Sequence, residues 1–317
     1  MLNNLIKIPT RNMSQEEWLA HRQKSIGGSD AAAILGLNGY NSAYTVWADK
    51  LGMLPPKEDW EGMRQGRDLE AYVAERFSER TGKKVRRENN ILINPEYPYA
   101  HANVDRMVIG EDAGLECKTT SCLNLKQYKN GAFPDHYYVQ CVHYLAITGC
   151  KKWYLAVLVL GKDFLVFEIE RDEDEITALM QSEEAFWKLV EAKTPPVADG
   201  NQSTTNTISV LYPQSNEDNV SLVAYENDLK QIMTFNSLIK DIEKQRDEVA
   251  NRVKAFMGES GRGESNSYKV SWLTMSKSTF DSKAYAKDHP EIDLSKYYKN
   301  TSYRTFKVTE VNKENIN

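Results

Sequence analysis

Two rhythms of apolar and polar residues run along this chain and divide it into helical and extended stretches. Apolar residues three and four apart mark one face of a helix; short runs of β-branched and aromatic residues bounded by Gly or Pro mark strands. Ser14-Gln-Glu-Glu17 has the form of a capping box, in which the Ser oxygen serves the third helical amide and the Glu reaches back, so a helix is predicted to open there. Gly27-Gly28-Ser29-Asp30 reads as a turn into a short helix stopped near Gly36, and a second helix is predicted over 43–51. Leu69, Val73 and Phe77 recur at helical spacing in a third, over 64–81, ended by Gly82. Extended runs follow at 84–92, 102–109 and 114–119, punctuated by Pro95, Pro98 and Gly110. Residues 134–148 form a predicted helix with Tyr138, Cys141, Val142 and Leu145 as its apolar stripe. Runs at 153–160 and 164–169 flank Gly161-Lys162-Asp163 as a hairpin, and 172–192 is an amphipathic helix stopped by Pro195-Pro196.

This succession predicts an α/β domain with a central mixed sheet flanked by helices. The composition then turns polar, with clusters of Asn, Gln, Ser and Thr. We therefore divide the chain into a domain at 1–198, a linker at 199–219 holding an extended piece at 208–212, and a C-terminal accessory region at 220–317. In that last region a long helix over 221–257 carries Leu229, Ile232, Met233, Leu238, Ile239, Ile242, Val249 and Val253 on one face. Two strands, 268–275 and 303–311, are expected after it, joined by a segment rich in Lys and aromatic residues. Interleaved cations and aromatics suit single-stranded DNA; an ordinary small α/β element has the same composition.

The chain has 317 residues, with 41% hydrophobic and 27% charged, enough to build a core and too apolar for wholesale disorder. The longest apolar run, 153–160, is far short of the roughly 20 residues that span a bilayer, and the N-terminus lacks a signal-peptide core. The expected location is the cytoplasm, with no membrane partner. The four cysteines, Cys117, Cys122, Cys141 and Cys150, match no zinc spacing and sit in or beside apolar segments, so reduced, buried thiols are expected. A net charge of −5 argues against a protein that coats nucleic acid, but not against a local basic groove. One stretch is locally basic: Arg64, Arg67, Arg76, Arg80, Lys83, Lys84, Arg86 and Arg87 outnumber the acids among them.

The candidate chemistry centres on Asp105 on one predicted strand and Glu116-Cys117-Lys118 on the next. An Asp followed about ten residues later by Glu-x-Lys is the PD-(D/E)xK nuclease pattern. Phosphodiester hydrolysis must neutralise a highly charged transition state and generate hydroxide near neutral pH. Two carboxylates on neighbouring strands can converge on a hard, oxygen-seeking ion such as Mg²⁺. Residues i and i+2 of a strand share a face, so Glu116 and Lys118 point into one cleft, where the ammonium can orient water or stabilise developing charge. Cys117 points the other way and offers its backbone carbonyl to the metal. Taken alone, Glu116 and Lys118 could equally be an edge-strand salt bridge. Gln140 and Tyr144 lie one turn apart on a helix face, able to flank a phosphate or base, or to be a surface Gln beside a packed Tyr.

Trp18-Leu-Ala-His-Arg22 followed by Ser25-Ile-Gly-Gly-Ser-Asp30 resembles the opening of the YqaJ-like viral recombinases, alkaline exonucleases related to phage lambda exonuclease. Gln65-Gly-Arg-Asp-Leu-Glu70, Ala102-Asn-Val-Asp-Arg106, Gly114-Leu-Glu-Cys-Lys-Thr119 and Tyr138-Val-Gln140 with Tyr144 follow in the family's order, over about residues 14–196. Val104 stands where the family often has proline, a position that supplies no ligand. The resemblance implies a restriction-endonuclease-like core with Asp105 and Glu116 as metal ligands and Lys118 as catalytic lysine. It makes Glu70 a further carboxylate, otherwise a solvated helix acid, and has Gln140 contact the scissile region. Arg22 and Ser29 would receive a terminal 5′-phosphate, which suits the bidentate grip of a guanidinium, with help from the Gly27-Gly28 amides. It further implies one or two Mg²⁺ ions per site, with Mn²⁺ able to substitute. The implied activity is 5′→3′ digestion of linear double-stranded DNA from a phage or prophage, leaving 3′ overhangs, with a homotrimeric ring and a single-strand annealing recombinase as partner. The alternatives are an endonuclease or repair nuclease on the same fold, and an inactive DNA-binding scaffold. His101, His136 and His143 are assigned no role beyond structure or surface.

Overall fold

The computed structural model describes residues 1–311, and the chain divides into two units, the first ending at Tyr212 and the second beginning at Pro213. The first unit is the predicted α/β domain. Its helices are α1 (Gln15–Gln23), α2 (Gly28–Ile34), α3 (Ala43–Lys50), α4 (Glu61–Thr81), α5 (Asp135–Thr148), α6 (Glu173–Glu191) and α7 (Gln202–Leu211). Its strands are β1 (Ile6–Pro9), β2 (Ile26–Gly27), β3 (Val85–Arg87), β4 (Asn90–Ile93), β5 (Ala100–His101), β6 (Arg106–Val108), β7 (Ala113–Thr120), β8 (Lys152–Val159) and β9 (Asp163–Glu170). The capping box at Ser14 and Glu17 is present.

Five strands form the central sheet in the order β3-β6-β7-β8-β9. The pair β7–β8 is parallel and the other three are antiparallel, so the sheet is mixed as expected. A parallel pair needs a crossover, because the chain must return to the end at which it started. Here the crossover contains α5, which packs on one face against Leu155, Val157 and Trp153. The opposite face takes Val73, Ala74 and Phe77 of α4 against Leu115, Tyr154 and Ala156. Gly114 is obligatory for this packing: a Cβ there would stand 2.2 Å from the ring of Trp153. The expected run at 84–92 is broken into β3 and β4, and β4 leaves the main sheet to pair with β1, a strand not anticipated from its mixed composition. Among the described residues no helix is long and apolar enough to cross a membrane.

Residues 199–212 correct the linker expectation. In place of an extended piece they form α7, opened by an Asn201 side chain that accepts from the Ser203 amide. Thr204 and Thr207 are buried and hydrogen-bond to Ser42 and Thr45 at 2.7 and 2.8 Å. Polar residues thus meet polar partners, which a reading based on apolar periodicity passes over.

The second unit contains α8 (Glu226–Met257), a hairpin of β10 (Arg262–Glu264) and β11 (Lys269–Ser271), and α9 (Ser282–Asp288). No residue of α8 is buried, so its apolar face, including Leu238, Ile239 and Ile242, is open. The expected strand at 268–275 shrinks to β11, whose only partner among the described residues is the three-residue β10, and 303–311 forms no strand.

Candidate active site

The sheet forks where β6 and β7 part. The two strands pair at Arg106–Leu115 and Met107–Gly114, and the next residues along, Asp105 and Glu116, no longer exchange a ladder. The Asp105 carboxylate fills the gap, its Oδ2 accepting from the Cys117 amide at 2.8 Å. Glu116 is 3% exposed on the α5 face. Its Oε1 accepts from Gln140 Nε2 at 2.8 Å and meets Lys118 Nζ at 2.6 Å, while its buried Oε2 has no partner. Lys118 Nζ also lies 5.1 Å from the centre of the Tyr137 ring. The Cys117 side chain faces the other way, against the α4 layer, where burial pushes its thiol up.

Charge in this fork is unbalanced. Burial first, then the carboxylates of Glu116 and Glu70, push the Asp105 acid well above the usual carboxylate range, against the opposing pull of Lys118 and the Cys117 amide. Burial disfavours the Lys118 ammonium, but Glu116 and Asp105 outweigh it and hold its pKa above that of an ordinary lysine. Among the described residues no three His, Cys, Asp or Glu side chains form a metal cage by themselves. Nevertheless, the donors present fit a magnesium ion. They are hard oxygens from two adjacent carboxylates, one with an unpartnered buried atom, and magnesium binds through one or two carboxylates while keeping several waters.

Glu70 reaches the fork from α4 and forms an ion pair with Arg106, whose Nη1 also donates to the Asp105 carbonyl at 2.7 Å. Arg106 therefore ties α4 to the start of β6. Its position beside Asp105 in the Ala102–Arg106 motif was the signal available in the sequence. Tyr144 is buried, and its hydroxyl accepts from Gln140 Nε2 at 2.8 Å, so it acts on the site by holding Gln140.

Arg22 and Ser29 are brought together as expected, with Arg22 Nη2 donating to Ser29 Oγ at 2.8 Å. The guanidinium lies 4.9 Å from the Trp18 ring centre and 3.9 Å from Asp30. Asp30 is itself anchored by Lys50 at 2.7 Å, and although burial opposes it, Lys50 and Arg22 hold its carboxyl below the usual range. Of the two turn amides expected to assist, that of Gly27 donates to Asp30 Oδ2 at 3.1 Å and is committed to the turn. Gly28 links the two halves of the site, for a Cβ there would stand 2.7 Å from the Tyr144 ring and 3.2 Å from Gln140 Cγ.

Cys141 and Cys150 are buried and reduced as expected, but Cys117 is only half-buried and Cys122 is exposed at the start of the 3₁₀ helix after β7. His101 and His143 are structural. His143 lies between Glu183, at 2.8 Å, and the His101 carbonyl, at 2.9 Å, while His101 Nδ1 meets Ser25 Oγ at 2.8 Å.

A forked mixed sheet with Asp at the start of one strand, Glu-x-Lys on the next and helices on both faces is the PD-(D/E)xK nuclease fold. The chain belongs to the YqaJ-like viral recombinase family. The model of the YqaJ-like viral recombinase domain matches residues 17–151. The uncharacterized protein YqaJ of Bacillus subtilis (strain 168) is 37% identical over 305 residues, 94% of this chain and 95% of its own. Among solved structures, the alkaline exonuclease LHK-Exo from Laribacter hongkongensis is similar in fold, with a TM-score of 0.50 and 21% identity, over 57% of this chain and 94% of that one.

Proposed function

We propose that this chain is a Mg²⁺-dependent nuclease that digests linear double-stranded DNA in the 5′→3′ direction and leaves 3′ overhangs for recombination by strand annealing. The observation that carries the reading is the fork itself: Asp105 and Glu116 side by side, with Lys118 2.6 Å from Glu116 and Gln140 bracing the same carboxylate. Asp105 and Glu116 would hold the ion, with the Cys117 carbonyl and Glu70 as further oxygens; one or two Mg²⁺ ions, or Mn²⁺ in their place, fit such donors. When bound, the metal supplies charge neutralisation for the phosphate and acidifies water. Lys118 contributes a fixed positive charge next to the reacting phosphate, and its half-buried position limits screening by bulk water. Gln140 keeps Glu116 from turning away.

Directionality rests on the Arg22–Ser29 pair, which offers a guanidinium and a hydroxyl to a terminal 5′-phosphate, close to Gln140 through Gly28. Processive resection by a homotrimeric ring, handover to a single-strand annealing recombinase, a phage or prophage origin and action in the bacterial cytoplasm belong to the same reading. The test is digestion of linear duplexes bearing a 5′-phosphate, a 5′-hydroxyl or a blocked 5′ end, beside closed circular DNA, with Mg²⁺ present. Fast loss of the 5′-phosphorylated strand is expected. Cleavage of the closed circle at a comparable rate would show an endonuclease instead.

A further inference from the structure

From Lys118 a line of rings leads outward to the surface. The ammonium lies 5.1 Å from the Tyr137 ring centre, Tyr137 and His136 have ring centres 4.2 Å apart, and His136 meets Tyr40 edge-on at 6.4 Å with planes 88° apart. Tyr137 and His136 come from α5, and Tyr40 comes from the loop between α2 and α3. The last ring is 82% exposed. An exposed tyrosine is ordinary; one on a braced loop at the end of such a line is not. The Tyr40 amide donates to Asn38 Oδ1 at 2.9 Å, and Asn201 Nδ2 donates to the carbonyls of Asn38 and Asn41 at 3.0 and 3.4 Å. The loop is thereby tied to the start of α7, so the ring is presented on a fixed support and little freedom is lost when something lies on it.

Resting on the nuclease reading above, we propose that Tyr40 and His136 form a base-stacking rim at the mouth of the catalytic site, which holds a nucleobase of the DNA substrate a few nucleotides from the scissile phosphate. Aromatic faces accept any base, because every base has a π-face, and so they grip a strand without reading its sequence. That is the property an enzyme consuming arbitrary DNA needs. The geometry favours this ligand because the line of rings starts at the lysine assigned to the phosphate: a strand whose phosphate meets Lys118 brings neighbouring bases over the rings. His136 suits the role as an uncharged ring, since burial and the Lys118 charge both lower its pKa below the ordinary imidazole value. The sequence reading passed over Tyr40 and left His136 to structure or surface, since the two are nearly a hundred residues apart and meet only in the fold.

The experiment uses the full chain. Duplexes carrying 2-aminopurine at successive positions near the 5′-phosphorylated end are bound with Ca²⁺ in place of Mg²⁺, and KM for unlabelled linear duplex is measured with Mg²⁺. Wild type should give a fluorescence change at one or two positions near the site. Tyr40→Ala should remove that change and raise KM about tenfold, and His136→Ala should do the same more weakly. Tyr40→Phe and Tyr40→Trp should restore both, which separates stacking from a hydroxyl contact. Because Tyr40 is exposed, the melting temperature of Tyr40→Ala should match wild type. A Tyr40→Ala protein that cuts DNA with wild-type KM and an unchanged fluorescence pattern overturns the rim alone. So does a KM defect that Tyr40→Phe and Tyr40→Trp fail to repair. Wild-type protein that neither binds nor cuts DNA would bring down the nuclease reading, and the rim with it.

Discussion

Gln140 donates its side-chain amide to Glu116 Oε1 at 2.8 Å, across the gap between α5 and β7. The same nitrogen reaches the buried Tyr144 hydroxyl at 2.8 Å, so one glutamine fixes the orientation of the carboxylate while the helix core fixes the glutamine. Groups that orient a metal ligand are typically worth 10–100-fold in affinity or activity. Gln140→Ala should therefore lower Mg²⁺-dependent cleavage by about that factor and raise the Mg²⁺ concentration needed for half-maximal rate. An unchanged metal requirement would remove Gln140 from the support of Glu116.

Lys118→Ala should abolish turnover, a loss on the order of 10³-fold if the ammonium stabilises the transition state. It should also leave Glu116 buried without its counter-charge, so the metal-free variant should melt below wild type, and Mg²⁺ should recover part of the difference. Wild-type turnover in this variant would contradict the site assignment. Asp105→Ala and Glu116→Ala should each lose metal-dependent activity, and the double variant should be no worse than either, since both serve one ion. Mild, additive losses would make both acids structural.

Gly28→Ala tests the junction between the two halves of the site. Its Cβ would stand 2.7 Å from the Tyr144 ring, so the ring or the turn must shift. Overpacking of this kind costs about 1–3 kcal/mol, and the displaced Gln140 should slow cleavage as well. Calorimetry and a rate assay would show both effects together; full activity in a fully stable variant would mean that the turn relaxes freely.

Arg22→Ala should weaken the preference for 5′-phosphorylated over 5′-hydroxyl ends, by roughly tenfold for the loss of one charge-assisted contact. The two substrates differ only in the charge that the guanidinium would meet. Equal losses on both would assign Arg22 to the Trp18–Asp30 cluster it also touches, and so to folding.

The buried His143–Glu183 pair gives stability a pH signature. Burial disfavours the imidazolium, but Glu183 and the His101 carbonyl outweigh it and raise the His143 pKa above 6.5. A raised histidine pKa means that the folded chain binds the proton more tightly than the unfolded chain. This stabilisation is complete below pH 6.5 and is lost as pH rises through the folded value. His143→Gln should thus cost about 3–5 kcal/mol at pH 6, and less in alkaline buffer. Melting temperatures across that range would decide, and a penalty independent of pH would rule out the charged pair.

Chain length gives the last test. A chain cut after Tyr212 should keep the whole first unit, whereas one cut after Gly200 loses α7 with its Thr204 and Thr207 hydrogen bonds. The shorter chain should melt about 4–8 °C lower, for a loss on the order of 2 kcal/mol. With the accessory region gone, both should lose oligomer stability or processivity, read by light scattering and by digestion of long linear duplex. An unchanged mass and unchanged processivity would separate residues 213–317 from assembly.

Much of this protein is set by local sequence. The capping box at Ser14, the apolar stripe of Val73 and Phe77 and the hairpin around Gly161 each specify their element from a few neighbouring residues, because helix and strand periods are properties of the chain alone. The same holds for Glu116 and Lys118, whose shared face follows from their spacing of two in a strand. Tertiary structure decided what spacing cannot reach. The peptide of α7 joined the first unit because Thr204 and Thr207 found Ser42 and Thr45, about 160 residues away. Arg106 became a brace because α4 brought Glu70 to it, and Tyr144 went inside because Trp153 packs on its ring at 5.2 Å. The Tyr40–His136 edge contact exists only where the loop after α2 meets the start of α5. Apolar periodicity records which side of an element avoids water; it carries no record of which polar group elsewhere in the chain will complete a hydrogen bond or an ion pair, and that pairing is what shaped the site.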